Sequence, residues 1–167
     1  MNVLACEGQT EVILMLYLLQ KGYLIFDKRE ILDRTPIHLR QPEKIRPIIE
    51  TLPIDEKITI YRIGDTLTDV FDISCFGKIR EEHIDVIDVC TKPEIEILII
   101  ICENKYRDYL KYKSKMSPKE YVKSFIDPKL NFEDYIKKHE IIDAIMKYKT
   151  LKEKEKNRLT LADLIKH

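Results

Sequence analysis

The sequence predicts an α/β protein with a parallel four-stranded sheet flanked by helices, followed by an all-helical C-terminal extension. Three observations lead there. Short β-rich runs alternate with helical ones through the first hundred residues, an order that implies parallel pairing through right-handed crossovers. After residue 103 the patterns are helical only. Of the four glycines, Gly8 and Gly64 both fall where a strand ends.

Asn2 to Cys6 is a short apolar run stopped by Glu7-Gly8, which reads as a buried strand and a tight turn. Gln9 to Lys21 contains VILMLYLL, apolar on nearly every face, as a helix inside an α/β sandwich requires. Gly22 closes it. Tyr23 to Phe26 reads as the second strand; residues 27–41 give no clear pattern. Pro42 to Thr51 reads as a helix with Pro47 as a possible early stop. Lys57 to Ile63 (KITIYRI) alternates and is rich in β-branched and aromatic residues, so it is the third strand, ending at Gly64-Asp65. A short helix follows over residues 67–73. His83 to Val89 (HIDVIDV) alternates again and is the fourth strand.

Thr91-Lys92-Pro93-Glu94 matches a capping box and predicts a helix from Pro93 to about Lys113. Ser117-Pro118-Lys119-Glu120 repeats the box and opens a helix to about Ile126. Phe132 to Lys154 reads as one long amphipathic helix, and Thr160 caps a last short one to Ile165.

A chain of 167 residues fits one domain, an α/β core over 1–102 with the basic helical extension over 103–167 packed on it. The chain is 44% hydrophobic and 35% charged, which argues against disorder. The start has no basic region or small-residue cleavage site of a secretory signal, and no apolar run reaches bilayer length, so a cytoplasmic location is expected. Cys6, Cys75, Cys90 and Cys102 form no CxxC pair, which fits buried thiols in a reducing compartment and excludes a zinc-finger spacing. The zero net charge conceals an asymmetry. Residues 1–102 hold 12 Lys/Arg and 18 Asp/Glu, and residues 103–167 hold 17 and 11. An acidic half beside a basic half suits a metal–carboxylate site next to a phosphate-binding surface, and equally suits lysine-rich solvated helices.

In an open parallel sheet, ligands bind beyond the carboxyl ends of the strands. Glu7 follows the first strand and Asp65 the third. Adjacent strands would bring both carboxylates to one divalent cation, and Mg²⁺ favours a few carboxylates, retained waters and substrate phosphate.

CEGQTE at 6–11, after a hydrophobic strand, resembles the glutamate motif of Toprim domains, the catalytic core of topoisomerases, primases, OLD-type nucleases and RloB-like defence proteins. It looks closest to the OLD and RloB-like branch. IGDTLTD at 63–69 sits where that family places its aspartate motif. KPEIEILIII is similar to a segment in which a glutamate opens a hydrophobic helix, and EYVKSF, IIDAIMKYK and TLADLI follow in the order of the RloB-like helical tail. The resemblance implies a Toprim-like fold with Mg²⁺ or Mn²⁺ as cofactor. By it, Glu7 is the general base or acid, Asp65 the main metal ligand, and Glu96 or Glu94 a further acid. The family's second aspartate, two residues after the first, is absent: Leu67 stands there, and Asp69 is the substitute ligand.

Two functions from different classes follow from the resemblance. One is a metal-dependent nuclease cutting nucleic-acid phosphodiesters in phage defence, with a partner protein such as an ATPase. The other is a degenerate Toprim-like module that binds nucleic acid or a protein without cleavage. Lys105, Arg107, Lys111, Lys113 and Lys115 are candidate phosphate contacts, interleaved with Tyr106, Tyr109 and Tyr112, which either stack on bases or fill an apolar helix stripe. The absence of GxGxxG and GxxxxGK[ST] argues against nucleotide binding by those routes.

Overall fold

The computed structural model describes residues 1–65, 67, 70–152 and 159–166. A wholly parallel sheet of five strands runs in the order β2-β1-β3-β4-β5, with β1 at Asn2–Cys6, β2 at Ile37–His38, β3 at Ile58–Gly64, β4 at Ile84–Cys90 and β5 at Leu159–Thr160. The α/β class and parallel pairing agree with the sequence; the strand count is five rather than four. Tyr23–Phe26 is not a strand. Leu24 makes an antiparallel bridge to Ile165 instead, with Ile25 N–H donating to the Leu164 carbonyl at 2.9 Å. The place beside β1 is taken by the two residues Ile37 and His38, and β5 breaks the expectation of an all-helical extension.

Side-chain alternation divides the strands between two cores. Leu4, Cys6, Ile63 and Val89 join a large cluster with the helices of the first face. Val3, Ala5, Ile58, Ile60 and Ile84 face a smaller cluster with Ile45, Ile49, Phe71 and Phe76. On the first face lie α1 (Gln9–Gln20), α4 (Ile97–Cys102), α5 (Tyr106–Tyr109), α6 (Pro118–Phe125), α7 (Phe132–Lys138) and α8 (Ile141–Lys152). The second face is covered by the 3₁₀ turn Pro42–Ile45, the single turn α2 (Arg46–Ile49), the 3₁₀ turn Ile73–Phe76 and α3 (Lys78–Glu81). Pro47 sits in the first turn of α2, where its missing N–H has no intrahelical partner to lose.

Helix lengths are where local pattern and structure part. The stretch predicted as one helix from Pro93 to Lys113 is two. Turns over 94–98 lead into α4, Asn104 at φ 56 ends it in the left-handed region, and α5 follows. The Thr91 capping box does not form. Thr91 is buried and its N–H continues the sheet to the Gly64 carbonyl at 2.8 Å, while Glu94 accepts from Lys119 N–H at 3.0 Å, in the first turn of α6. The Ser117 box does form, with Ser117 Oγ accepting from Glu120 N–H and Glu120 from Ser117 N–H. The helix expected over 132–154 breaks at His139, whose backbone is extended; residues 153 and 154 lie outside the described residues. Thr160 N–H and hydroxyl both meet Asp163, capping the 3₁₀ turn Leu161–Leu164. Of the helix predicted over 67–73, Leu67 lies in a turn and 70–72 carry no helix, while Thr68 and Asp69 lie outside the described residues.

All four cysteines are free thiols. No helix among the described residues is long and apolar enough to cross a membrane.

Arg80 ties the second face together. It is buried, and its Nη1 and Nη2 donate to the Pro53 and Leu52 carbonyls at 2.5 and 2.8 Å. Arg80→Met leaves both carbonyls unmet, and we expect a loss of about 2 kcal/mol. Urea denaturation should show a lower midpoint at unchanged slope.

Candidate functional site

β1 and β3 are neighbours, and their carboxyl ends coincide: Cys6 pairs with Ile63, and Glu7 N–H donates to the Ile63 carbonyl at 2.9 Å. Glu7 and Asp65, the two acids placed by sequence at strand ends, therefore leave the same edge of the sheet one strand apart. Both are half-buried. Gly64 makes room for the first of them: a Cβ at that position would run into the Glu7 carboxylate. Gly8 does the same for Glu11, whose Oε2 lies 2.5 Å from where a Cβ would stand.

Glu11 belongs to this group although sequence reasoning gave it no role. It sits in the first turn of α1, 8% exposed, where backbone N–H groups have no intrahelical partner. Burial pushes its pKa up, and the charges of Asp65, Glu96 and Glu7 push the same way. Glu96, at the N-terminal boundary of α4, is raised too, first by burial and further by Glu94 and Asp65, against the opposing charge of Lys119. Glu7, Glu11, Asp65 and Glu96 thus form one electrostatically coupled set at the carboxyl edge. Beneath it, burial and the charge of Glu11 drive the Cys6 thiol pKa far up, which keeps it neutral and inert. Thr91, at the end of β4, buries a hydroxyl that has no hydrogen-bond partner among the described residues. Glu94, whose charge also acts on Glu96, is engaged with α6, and Asp72 caps Ser74. Asp69 lies outside the described residues.

The second residue that sequence reasoning missed is Arg62. Only 5% exposed, it stands on β3 between Glu7 and Asp88, with Nη2 3.8 Å from Glu7 Oε1 and Nη1 3.4 Å from Asp88 Oδ1. Its guanidinium also lies 5.0 Å from the centre of the Phe71 ring. The signal was available: in KITIYRI the alternation places Arg62 on the same face as Ile58 and Ile60, where a charge needs partners.

Further along the same edge, His38 Nε2 and Arg40 Nε both donate to the main-chain carbonyl of Glu7, at 2.8 and 2.9 Å. The basic stretch 105–115 is partly committed elsewhere. Lys105 Nζ donates to the Phe125 carbonyl at 2.9 Å and Lys111 pairs with Asp108 at 3.1 Å, while Arg107, Lys113 and Lys115 are exposed. Tyr109 and Tyr112 pack on Tyr121 in an aromatic cluster that includes Phe125, which is the core-stripe use rather than a base-stacking platform.

Among the described residues no group of three or more histidines, cysteines, aspartates or glutamates is placed to hold a metal ion. The described residues alone are therefore not a complete protein cage for a cation. Mg²⁺ is commonly held by one or two carboxylates plus water and substrate phosphate, and that is the demand Glu7 and Asp65 fit. No protein-family model, no curated protein and no solved structure matches the chain.

Two predictions follow from this electrostatics. Arg62→Met strands two carboxylates and should cost on the order of 3 kcal/mol; in a double-mutant cycle with Glu7→Gln, the second change should recover part of that loss. Glu11 has a folded pKa above its ordinary value of 4.5. The folded state then holds the proton more tightly than the unfolded one, so this group's contribution to stability falls as pH rises above about 4.5. Glu11→Gln should raise stability at pH 7 and flatten that fall, as read by denaturation at pH 4.5, 5.5 and 7.

Proposed function

We propose that this chain is a Toprim-like, Mg²⁺- or Mn²⁺-dependent phosphodiesterase acting on nucleic acid, with its chemistry at the carboxyl edge of β1 and β3. The observation that carries the reading is the meeting of Glu7 and Asp65 at the ends of adjacent parallel strands, inside a coupled set of acids. The CEGQTE and IGDTLTD segments that supply these two residues are also those that resemble the Toprim motifs. That resemblance supplies the substrate class, the association with phage defence and the expectation of a partner such as an ATPase.

In this reading Asp65 is the principal ligand of a divalent ion and Glu96 an additional acid at the same edge, with Asp69, outside the described residues, the substitute ligand that the resemblance implies. The ion's contribution, once bound with substrate, is to polarise a phosphoryl oxygen. Glu7 moves the proton of the attacking or leaving oxygen. Its carboxylate is held for that task by Arg62 on one side and by the space above Gly64 on the other.

A second reading, a module that binds nucleic acid or a protein partner without cleavage, is favoured by two observations. The described residues offer no three-ligand metal group, and Arg62 already supplies a positive charge to Glu7.

A cleavage assay with Mn²⁺ and calorimetric Mn²⁺ titration with and without oligonucleotide separate the two. The enzyme reading expects saturable binding that Asp65→Asn abolishes, and cleavage that Glu7→Gln lowers by roughly 10²–10⁴-fold. Oligonucleotide binding with neither Mn²⁺ uptake nor cleavage would leave the binding module.

A further inference from the structure

We infer that His38 and Arg40 are the phosphate-holding pair of this site, so that nucleic acid enters over the β2 side of the sheet edge rather than along residues 105–115. The inference rests on the phosphodiester reading above and names the residues that would grip the substrate.

The local geometry is built from a short run of chain. β2 ends at His38, and Leu39 N–H extends the ladder by donating to the Cys6 carbonyl at 2.9 Å. Leu39 itself is 3% exposed and packed in the core of the second face, which fixes the segment on β1. In extended chain, residues two apart share a side, so His38 and Arg40 lie together while Leu39 points the other way. Both are exposed, and each spends one nitrogen on the carbonyl oxygen of Glu7. That oxygen has two lone pairs and fills both. The imidazole and the guanidinium are thereby oriented against the main chain of the residue whose carboxylate is the candidate base.

What Arg40 has left is suited to an anion. Arg40 uses Nε on the carbonyl, and among the described residues its Nη1 and Nη2 have no hydrogen-bond partner, which leaves the end of the guanidinium for phosphate oxygens. The charge balance points the same way. Glu7, Glu11, Asp65, Glu96 and Asp88 crowd this edge, and Arg62 is already engaged with two of them. A polyanion approaching these acids needs exposed positive charge beside them, and on the β2 side Arg40, next to His38, is placed to provide it. By contrast, Lys105 and Lys111 of the basic stretch are tied to Phe125 and Asp108.

The test is fluorescence anisotropy with labelled single-stranded DNA and RNA 12-mers at low salt, in EDTA and again with Ca²⁺. Wild type is compared with Arg40→Gln, Arg40→Lys, His38→Gln and the double variant Lys113→Gln/Lys115→Gln, each checked for an unchanged thermal midpoint. The proposal expects Arg40→Gln to bind about 10-fold more weakly with a shallower salt dependence, close to one phosphate contact less. It expects Arg40→Lys to fall between, His38→Gln to weaken binding several-fold, and the double lysine variant to bind within about 2-fold of wild type. Unchanged affinity in Arg40→Gln and His38→Gln, loss confined to the double lysine variant, or no binding of either 12-mer would overturn it. Loss of binding in Arg40→Gln together with absence of Mn²⁺-dependent cleavage in wild type keeps the phosphate pair and removes the enzymatic reading instead.

Discussion

A guanidinium seated inside a parallel sheet must be neutralised where it stands, and Arg62 organises the carboxyl edge around that need. Its position on β3 is fixed by pairing with Ala5 and Asp88 on the strands to either side. Asp88 answers it from β4 and Glu7 from the end of β1, while Phe71 lies against its face. Leaving such a charge unpaired costs several kcal/mol, so the partners are held as firmly as the charge itself. Glu7 is drawn toward β3 for this reason, and Gly64 has to be glycine for the carboxylate to fit there. One buried cation thus determines where a candidate base sits and why the strand beside it ends as it does.

The acids on the other side of the edge are crowded by like charge, which for Glu96 the charge of Lys119 partly opposes. Glu11 and Glu96 are partly removed from water and feel one another and Asp65, and both are harder to ionise as a result. A set of like charges gathered at a strand edge lowers stability in the free protein and is relieved by a cation or by a proton. The cores on either side of the sheet make that arrangement tolerable. The buried Thr91 hydroxyl, without a partner among the described residues, is a further polar cost at the end of β4.

How much of this was legible in the sequence depended on whether the determinant was local. β1, β3, β4, α1 and α6 could be read from alternation, an apolar run and a capping box, because each is specified by its own residues. β2 and β5 could not. Two residues each, they are strands only because β1 and β4 offer open edges beside them. The Thr91 box failed for a related reason: the sheet claimed its backbone N–H and buried its side chain before any helix could use it. At the site, Glu7 and Asp65 were found from their places after strands. Glu11 went unassigned because a first-turn glutamate ordinarily serves its own helix. Arg62 was visible in the alternation but was passed over, and the His38–Arg40 pair was hidden in a stretch with no periodic pattern.

The central claim is that the carboxyl edge of β1 and β3 is where this protein meets a metal ion and a phosphate together. The most direct test is a crystal structure with Mn²⁺ and a cleavage-resistant phosphorothioate oligonucleotide, with the metal located by anomalous scattering. The account predicts a single strong peak touching Asp65 and lying beside Glu7, with a phosphate oxygen in the ion's coordination shell. A peak elsewhere on the molecule, or oligonucleotide bound with no metal at this edge, would contradict it.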